Sequence, residues 1–122
     1  MNRIVCNTID YVFAEDIIQM GIIDVVLKYG CDWKNLPVKE KPTYTSSLLQ
    51  EDAGPHREQS VTAITKYDTD VELKRRIAFG VVLRMKTDKR TFYVGTDSYP
   101  CMTEVTNDMI TDTFTFTAKL II

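Results

Sequence analysis

Residues 113–120 read Thr-Phe-Thr-Phe-Thr-Ala-Lys-Leu, so Phe114, Phe116, Ala118 and Leu120 alternate with Thr113, Thr115, Thr117 and Lys119. Side chains alternate between two faces in an extended strand, and this period of two predicts a half-buried one. In a helix Phe114 and Phe116 would lie on opposite sides. A strand with one apolar face is not stable alone, because it needs neighbours in its sheet and a second layer to cover that face.

The composition can supply them. Val, Ile, Thr, Tyr, Phe and Trp make up 49 of the 122 residues, whereas Ala, Leu and Glu number only 5, 7 and 6. The first group suits a pleated, half-buried surface and the second favours helices. A chain of this length matches one hydrophobic core, and residues 1–122 are read as a single domain without a linker or internal repeat.

Further strands are expected at about 3–13, where Ile9, Tyr11 and Phe13 alternate with Asp10 and Val12, and at about 57–67, 76–87 and 90–97. In the third, Ile77, Phe79, Val81, Leu83 and Met85 should share one face and Arg84 and Lys86 the other. Strands 76–87 and 90–97 should form a hairpin through Thr87-Asp-Lys-Arg90, although that turn lacks glycine. Residues 44–49 suit a short strand and Glu51-Asp-Ala-Gly-Pro-His56 a turn.

Residues 15–29 admit two readings: a short helix ending at Gly30, or extended chain with Ile23, Val25, Leu27 and Tyr29 on one face and Asp24 and Lys28 on the other. Alternation fits the polar positions better. Residues 30–42 read as a loop anchored by Trp33. The expected fold is mainly β, an antiparallel β-sandwich or partly open β-barrel of about six to eight strands, with one short helix at most.

The formal net charge of −2 and pI of about 5.3 give no general attraction to nucleic acid or anionic membranes. Asp16, Gln19, Asp24 and Lys28 interrupt the most apolar region, which argues against a membrane span, and the first ten residues make a poor signal peptide. A cytoplasmic protein, or one packed into a particle assembled there, is expected. Cys6, Cys31 and Cys101 are odd in number and widely spaced, and are read as mostly buried thiols without disulfide or zinc.

Chemistry-bearing patterns are sparse. His56 is the only histidine, in a turn, and is read as an exposed loop residue. Asp68, Asp70 and Glu72 would share one side of an extended chain, but without the other ligands of a calcium loop they read as a solvated turn. Gly95 stands alone, which suits a bulge or close backbone approach rather than a phosphate loop. No catalytic residue, metal site or cofactor is assigned, and the chain is read as a non-enzyme.

Charge placement says more. Lys74, Arg75, Arg76, Arg84, Lys86, Lys89 and Arg90 cluster in one stretch against the single acid Asp88. Residues 91–118 hold no Lys or Arg but contain Asp97, Glu104, Asp108 and Asp112. Separate basic and acidic patches suit head-to-tail docking with further copies or other structural subunits. Phosphate contact by the basic hairpin beside Phe92 and Tyr93 is the lesser reading, because Phe92 should face the core.

The run Glu51-Asp-Ala-Gly-Pro-His-Arg-Glu-Gln-Ser-Val-Thr-Ala63 leads to the strand Arg76-Ile-Ala-Phe-Gly-Val-Val-Leu-Arg-Met85. Phe92-Tyr-Val-Gly-Thr-Asp-Ser-Tyr-Pro100 and the terminal Thr-Phe-Thr-Phe complete the pattern. Over residues 50–120 this order resembles small β-rich virion structural proteins of phages and prophages of gut Bacteroidales. The resemblance implies a non-enzymatic subunit of a tail or head-tail joining assembly. The alternative is a β-sandwich binding module that presents loops 30–42 and 98–110, with Trp33, Tyr44 and Tyr99 as contacts, to carbohydrate, peptide or nucleic acid.

Overall fold

The computed structural model describes residues 2–21, 25–51, 54–76 and 78–121, of which residues 2, 48–51, 54–56, 120 and 121 are described by their backbone alone. Mainly β structure is what the alternating pattern demands. Eleven strands form among the described residues: β1 (Asn2–Val5), β2 (Thr8–Phe13), β3 (Ile17–Met20), β4 (Val25–Leu27), β5 (Lys34–Asn35), β6 (Thr43–Glu51), β7 (Gly54–Lys66), β8 (Val81–Lys86), β9 (Thr91–Val94), β10 (Met102–Asn107) and β11 (Thr111–Ile121). One five-residue helix, α1 (Val71–Arg75), joins them.

Every pairing is antiparallel, and three sheets result. A large sheet runs β1-β6-β7-β11-β10, a second runs β5-β2-β8-β9, and β3 pairs with β4 as a small third. The large sheet turns Val61, Ala63, Phe114, Phe116 and Ala118 inward, where they meet Ile9, Tyr11, Phe13, Val81, Leu83, Met85 and Val94 of the second sheet. Phe114 and Phe116 are fully buried, as their alternation requires. Leu120's side chain lies outside the described residues. On its other face the second sheet carries Val12 and Val82, which pack with Ile17 beneath Met20, Val25, Leu27 and Trp33.

Two chain segments pass from one sheet to the other, and neither leaves the sheets joined into a closed barrel. Between β1 and β2 the Cys6 N–H bonds the carbonyl of Pro42, beside the large sheet, and the Asn7 N–H bonds that of Lys86 in the second (2.8 and 2.7 Å). Residue Cys101 exchanges both backbone bonds with Val81 in the second sheet (2.7 and 3.2 Å), and Met102 then pairs with Thr117 in the large one. Bends of this kind make the corners of packed sheets. The expected single strand over 3–13 is therefore two strands.

Several expectations are corrected. The count of six to eight strands is too low, because that bend splits one strand and the short pairs β3-β4 and β5 were not separated. Residues 102–107, read as loop, form the edge strand β10. The turn placed at 51–56 is shorter, since β6 extends to Glu51 and β7 begins at Gly54. Strand 76–87 begins only at Val81, and Phe79 is half exposed, capped by the Arg76 guanidinium (5.0 Å). Residues 15–29 form a single 3-10 turn at Ala14–Asp16 and the β3-β4 pair, and the expected places of Ile23 and Asp24, like that of Ile77, lie outside the described residues.

The contrast between faces is testable on β11. Phe116→Ala removes a fully buried ring and is expected to cost about 3 to 5 kcal/mol. Thr115→Ala, on the outward face, should change stability by less than about 1 kcal/mol. Equal melting temperatures for the two variants would contradict the placement of this strand.

Candidate interaction surfaces

Three residues of the basic stretch, Lys74, Arg76 and Arg84, are paired with acids of their own chain. Asp10 and Arg84 face one another across β2 and β8, and Arg84 donates from Nε and Nη2 to one carboxylate oxygen at 3.1 and 2.8 Å. Trp33 lies 4.7 Å above the same guanidinium and packs on Tyr93, while Asn35 donates to the other Asp10 oxygen at 3.0 Å. Arg76 pairs with Glu15 and Glu72 and stacks 3.8 Å from the Phe13 ring.

Lys74 bonds Asp68 and lies 3.1 Å from the fully buried carboxylate of Asp112. Both acids favour the charged ammonium and raise the Lys74 pKa. Asp112 also accepts the Asp68 N–H at 2.9 Å. One predicted acid is thus an internal partner of one predicted base.

The remaining predicted residues are dispersed. Lys86, Lys89 and Arg90 are exposed around the β8-β9 hairpin, whose turn Thr87 holds by accepting the N–H groups of Lys89 and Arg90. Arg75 is exposed at the end of α1. Asp97 and Glu104 are exposed, the first in a loop and the second on the outer edge. Asp108 is tied to its own turn, as described below.

The carboxylates at 68, 70 and 72 do not converge. Asp68 holds Lys74 and Glu72 holds Lys34, while Asp70 caps α1 by accepting the Leu73 N–H at 3.0 Å and takes a 2.7 Å bond from the Tyr11 hydroxyl. That cap was the missed signal for α1, since Asp70 precedes Val-Glu-Leu-Lys-Arg with its acid early and its bases late. Leu73 then closes one end of the core.

Cys6 and Cys101 are buried, and Cys31 is partly so. Burial pushes the Cys101 thiol up to about 12 and raises Cys6 as well, so neither is a nucleophile near neutral pH. Gly95 has φ of +84°, and a side chain there would meet Cys101 Sγ at 3.0 Å. It serves close packing. The side chain of His56 lies outside the described residues.

What sequence reasoning missed is apolar. The turn between β10 and β11 projects Met109 and Ile110, 95% and 70% exposed, beside half-exposed Tyr67. This tip is held firmly, because Asp108 Oδ1 accepts the N–H groups of Ile110 and Thr111 at 2.7 Å each. Those bonds hold the Asp108 carboxyl below its usual range. The Ile110 carbonyl in turn accepts the Tyr67 N–H at 3.0 Å.

At the other end of the same hairpin, a cleft of about 430 Å3 is lined by Tyr99, Pro100, Met102, Thr117 and Ala118, with Glu58 and Lys119 at its margin. Tyr99 and Met102 are each 57% exposed. Of the three aromatics expected on a binding surface, Tyr99 alone stands over this cleft. Trp33 covers Arg84, and Tyr44 packs on Phe92 at 5.1 Å.

Among the described residues no helix is long and apolar enough to cross a membrane. No protein-family model matches this chain, and no similar curated protein or solved structure is found.

The Tyr11-Asp70 bond has a pH signature. Burial and the neighbouring carboxylates raise the Tyr11 phenol above its ordinary value of 10.0, so the folded chain retains a proton that the unfolded chain loses. Its stabilisation is complete below about pH 10 and declines as pH rises further, by at most about 1.4 kcal/mol per pH unit. Urea denaturation should show wild-type stability falling more steeply than that of Tyr11→Phe above about pH 10. Parallel curves would contradict the assignment.

Proposed function

We propose that this chain is a non-enzymatic structural subunit that assembles by repeated contacts, as expected of a protein of a phage tail or head-tail joint. The observation that carries this reading is the β10-β11 tip. Met109 and Ile110 are presented to water on a turn that hydrogen bonds hold in place, and Tyr67 widens the apolar surface. Single exposed apolar residues are ordinary, but a contiguous and ordered group marks a contact surface. Burying both tip side chains would contribute about 3 to 6 kcal/mol, enough for a weak contact that repetition strengthens. The likeness of residues 50–120 to phage virion proteins points the same way.

Assembly on this reading is apolar rather than electrostatic. Lys74, Arg76 and Arg84 are engaged with acids of their own chain, which removes much of the charge that head-to-tail docking would need. Salt should therefore not dissolve the assemblies.

A second reading rests on Tyr99. An exposed aromatic above a cleft flanked by Glu58 and Lys119 suits a binding module that stacks on a sugar ring or peptide side chain. Tyr99→Ala would abolish such binding and leave tip-mediated assembly measurable.

Light scattering across a concentration series, at low and high salt, separates the two. Wild type is expected to grow in mass with concentration at both salts, and Met109→Ser/Ile110→Ser to remain monomeric with an unchanged melting curve. Association of that variant equal to wild type, or a monomeric wild type near millimolar concentration, would refute the tip's role.

A further inference from the structure

We propose that the free edge of β10 pairs with β10 of a second copy, antiparallel and centred on Val105, an inference that rests on the assembly reading above. β10 ends the large sheet and has β11 as its neighbour on one side only. The Asp108 N–H bonds the Thr111 carbonyl and the Tyr67 N–H bonds that of Ile110, so odd residues of β11 serve β10 and even ones serve β7. Main-chain groups in an antiparallel ladder alternate in direction residue by residue. Met102, Glu104 and Thr106 therefore bond β11, while the N–H and C=O groups of Thr103, Val105 and Asn107 point away from it at the sheet's edge.

Such a row is a template for another strand, and proteins blunt it with short edges, lysine, proline or bulges. β10 holds no lysine, proline or bulge. Its six residues run in unbroken register with β11, whereas the other strands that end sheets, β1, β3, β4, β5 and β9, have four residues or fewer.

The sheet favours a two-fold joint. Its five strands are all antiparallel, so β1 and β10 run the same way and a copy added by translation would join in parallel. A copy turned about an axis normal to the sheet continues the antiparallel ladder. Charge and chain path select the register. Centring on Glu104 opposes two carboxylates, and centring on Thr106 opposes Glu104 to Asp108. Centring on Thr103 asks Val105 to bond Cys101, whose backbone already bonds Val81, and centring on Asn107 sets Val105 against Met109 in the turn. Centred on Val105, the ladder uses all three free residues: Val105 meets its own copy, Thr103 meets Asn107, and uncharged Thr106 faces Glu104. Val105 is half-buried against the core, so its copy extends that core across the joint. The tip follows Asn107 directly and lies beside Met102 of the second copy, which makes ladder and tip one interface.

Cysteine cross-linking reads the register. Residues 104 and 106 of opposite copies would form a non-hydrogen-bonded pair with Cα atoms about 4.5 Å apart, within disulfide reach. Residue 104 lies diagonally from its own copy, at about 7 to 8 Å, which is too far. Glu104→Cys and Thr106→Cys change exposed side chains and should fold, each combined with Cys31→Ser to remove the partly buried native thiol. Mixed and oxidised, they should form a disulfide dimer that neither forms alone. Val105→Pro deletes an N–H that β11 does not use and removes two ladder bonds per dimer, so association should weaken by about 10-fold or more. Equal cross-linking of each cysteine variant alone, or none in the mixture where wild type associates, would overturn the pairing and leave assembly through another surface. Association of folded Val105→Pro at wild-type strength would overturn it as well. A wild type that stays monomeric would overturn both the pairing and the assembly reading.

Discussion

Two places where the backbone changes partners govern this structure. At Cys6-Asn7 and at Cys101-Met102 successive residues bond first one sheet and then the other, so the sheets cannot slide or separate without breaking main-chain hydrogen bonds at the corners. Both corners carry a fully buried cysteine, a small apolar side chain that fits where two layers converge. At the second corner the fit is close: Gly95 approaches Cys101 too nearly for a side chain, and a Cβ on Gly80 would overlap the Pro100 ring at 2.4 Å. The phenylalanines of β11 and the aromatic and aliphatic residues of β2 and β8 fill the space the corners define.

The ion pairs lie at the margins of that core and fix what the strands leave loose. Asp70 starts α1 and receives the Tyr11 hydroxyl, joining the helix to the second sheet. Lys74 ties the same helix to Asp112 at the start of β11. Arg76 binds α1 to the 3-10 turn after β2 through Glu15. Charges used in this way hold connections in place.

Where a pattern was local, the sequence was sufficient. The burial of Phe114 and Phe116, the β8-β9 hairpin and the overall β class follow from alternation and composition. The bend at Cys6 was not legible, because the inward positions shift from Ile4 and Cys6 to Ile9, Tyr11 and Phe13 across only two polar residues, Asn7 and Thr8, too short an interruption to mark a change of partner strand. Helix α1 was hidden by its length: five residues cannot show a helical period, and the acids at 68, 70 and 72 imitate strand spacing. Edge strand β10 faces water on much of its surface and so carries little apolar pattern. For the site, listing charges by position overlooked pairing across strands, which joins Asp10 to Arg84 and Lys74 to Asp112. Met109 and Ile110 read as one more apolar pair until the turn showed that none of the described residues covers them.

If the tip of the β10-β11 hairpin is the contact surface, its methyl groups must report assembly. Among the chain's five methionines, Met109 belongs to the tip and Met85 to the interior. Methyl NMR of methionine-labelled wild-type protein, recorded across a dilution series, follows both at once. The account predicts that Met109 shifts with concentration while Met85 stays fixed. A Met109 signal that does not move in samples that scatter light as oligomers would contradict it.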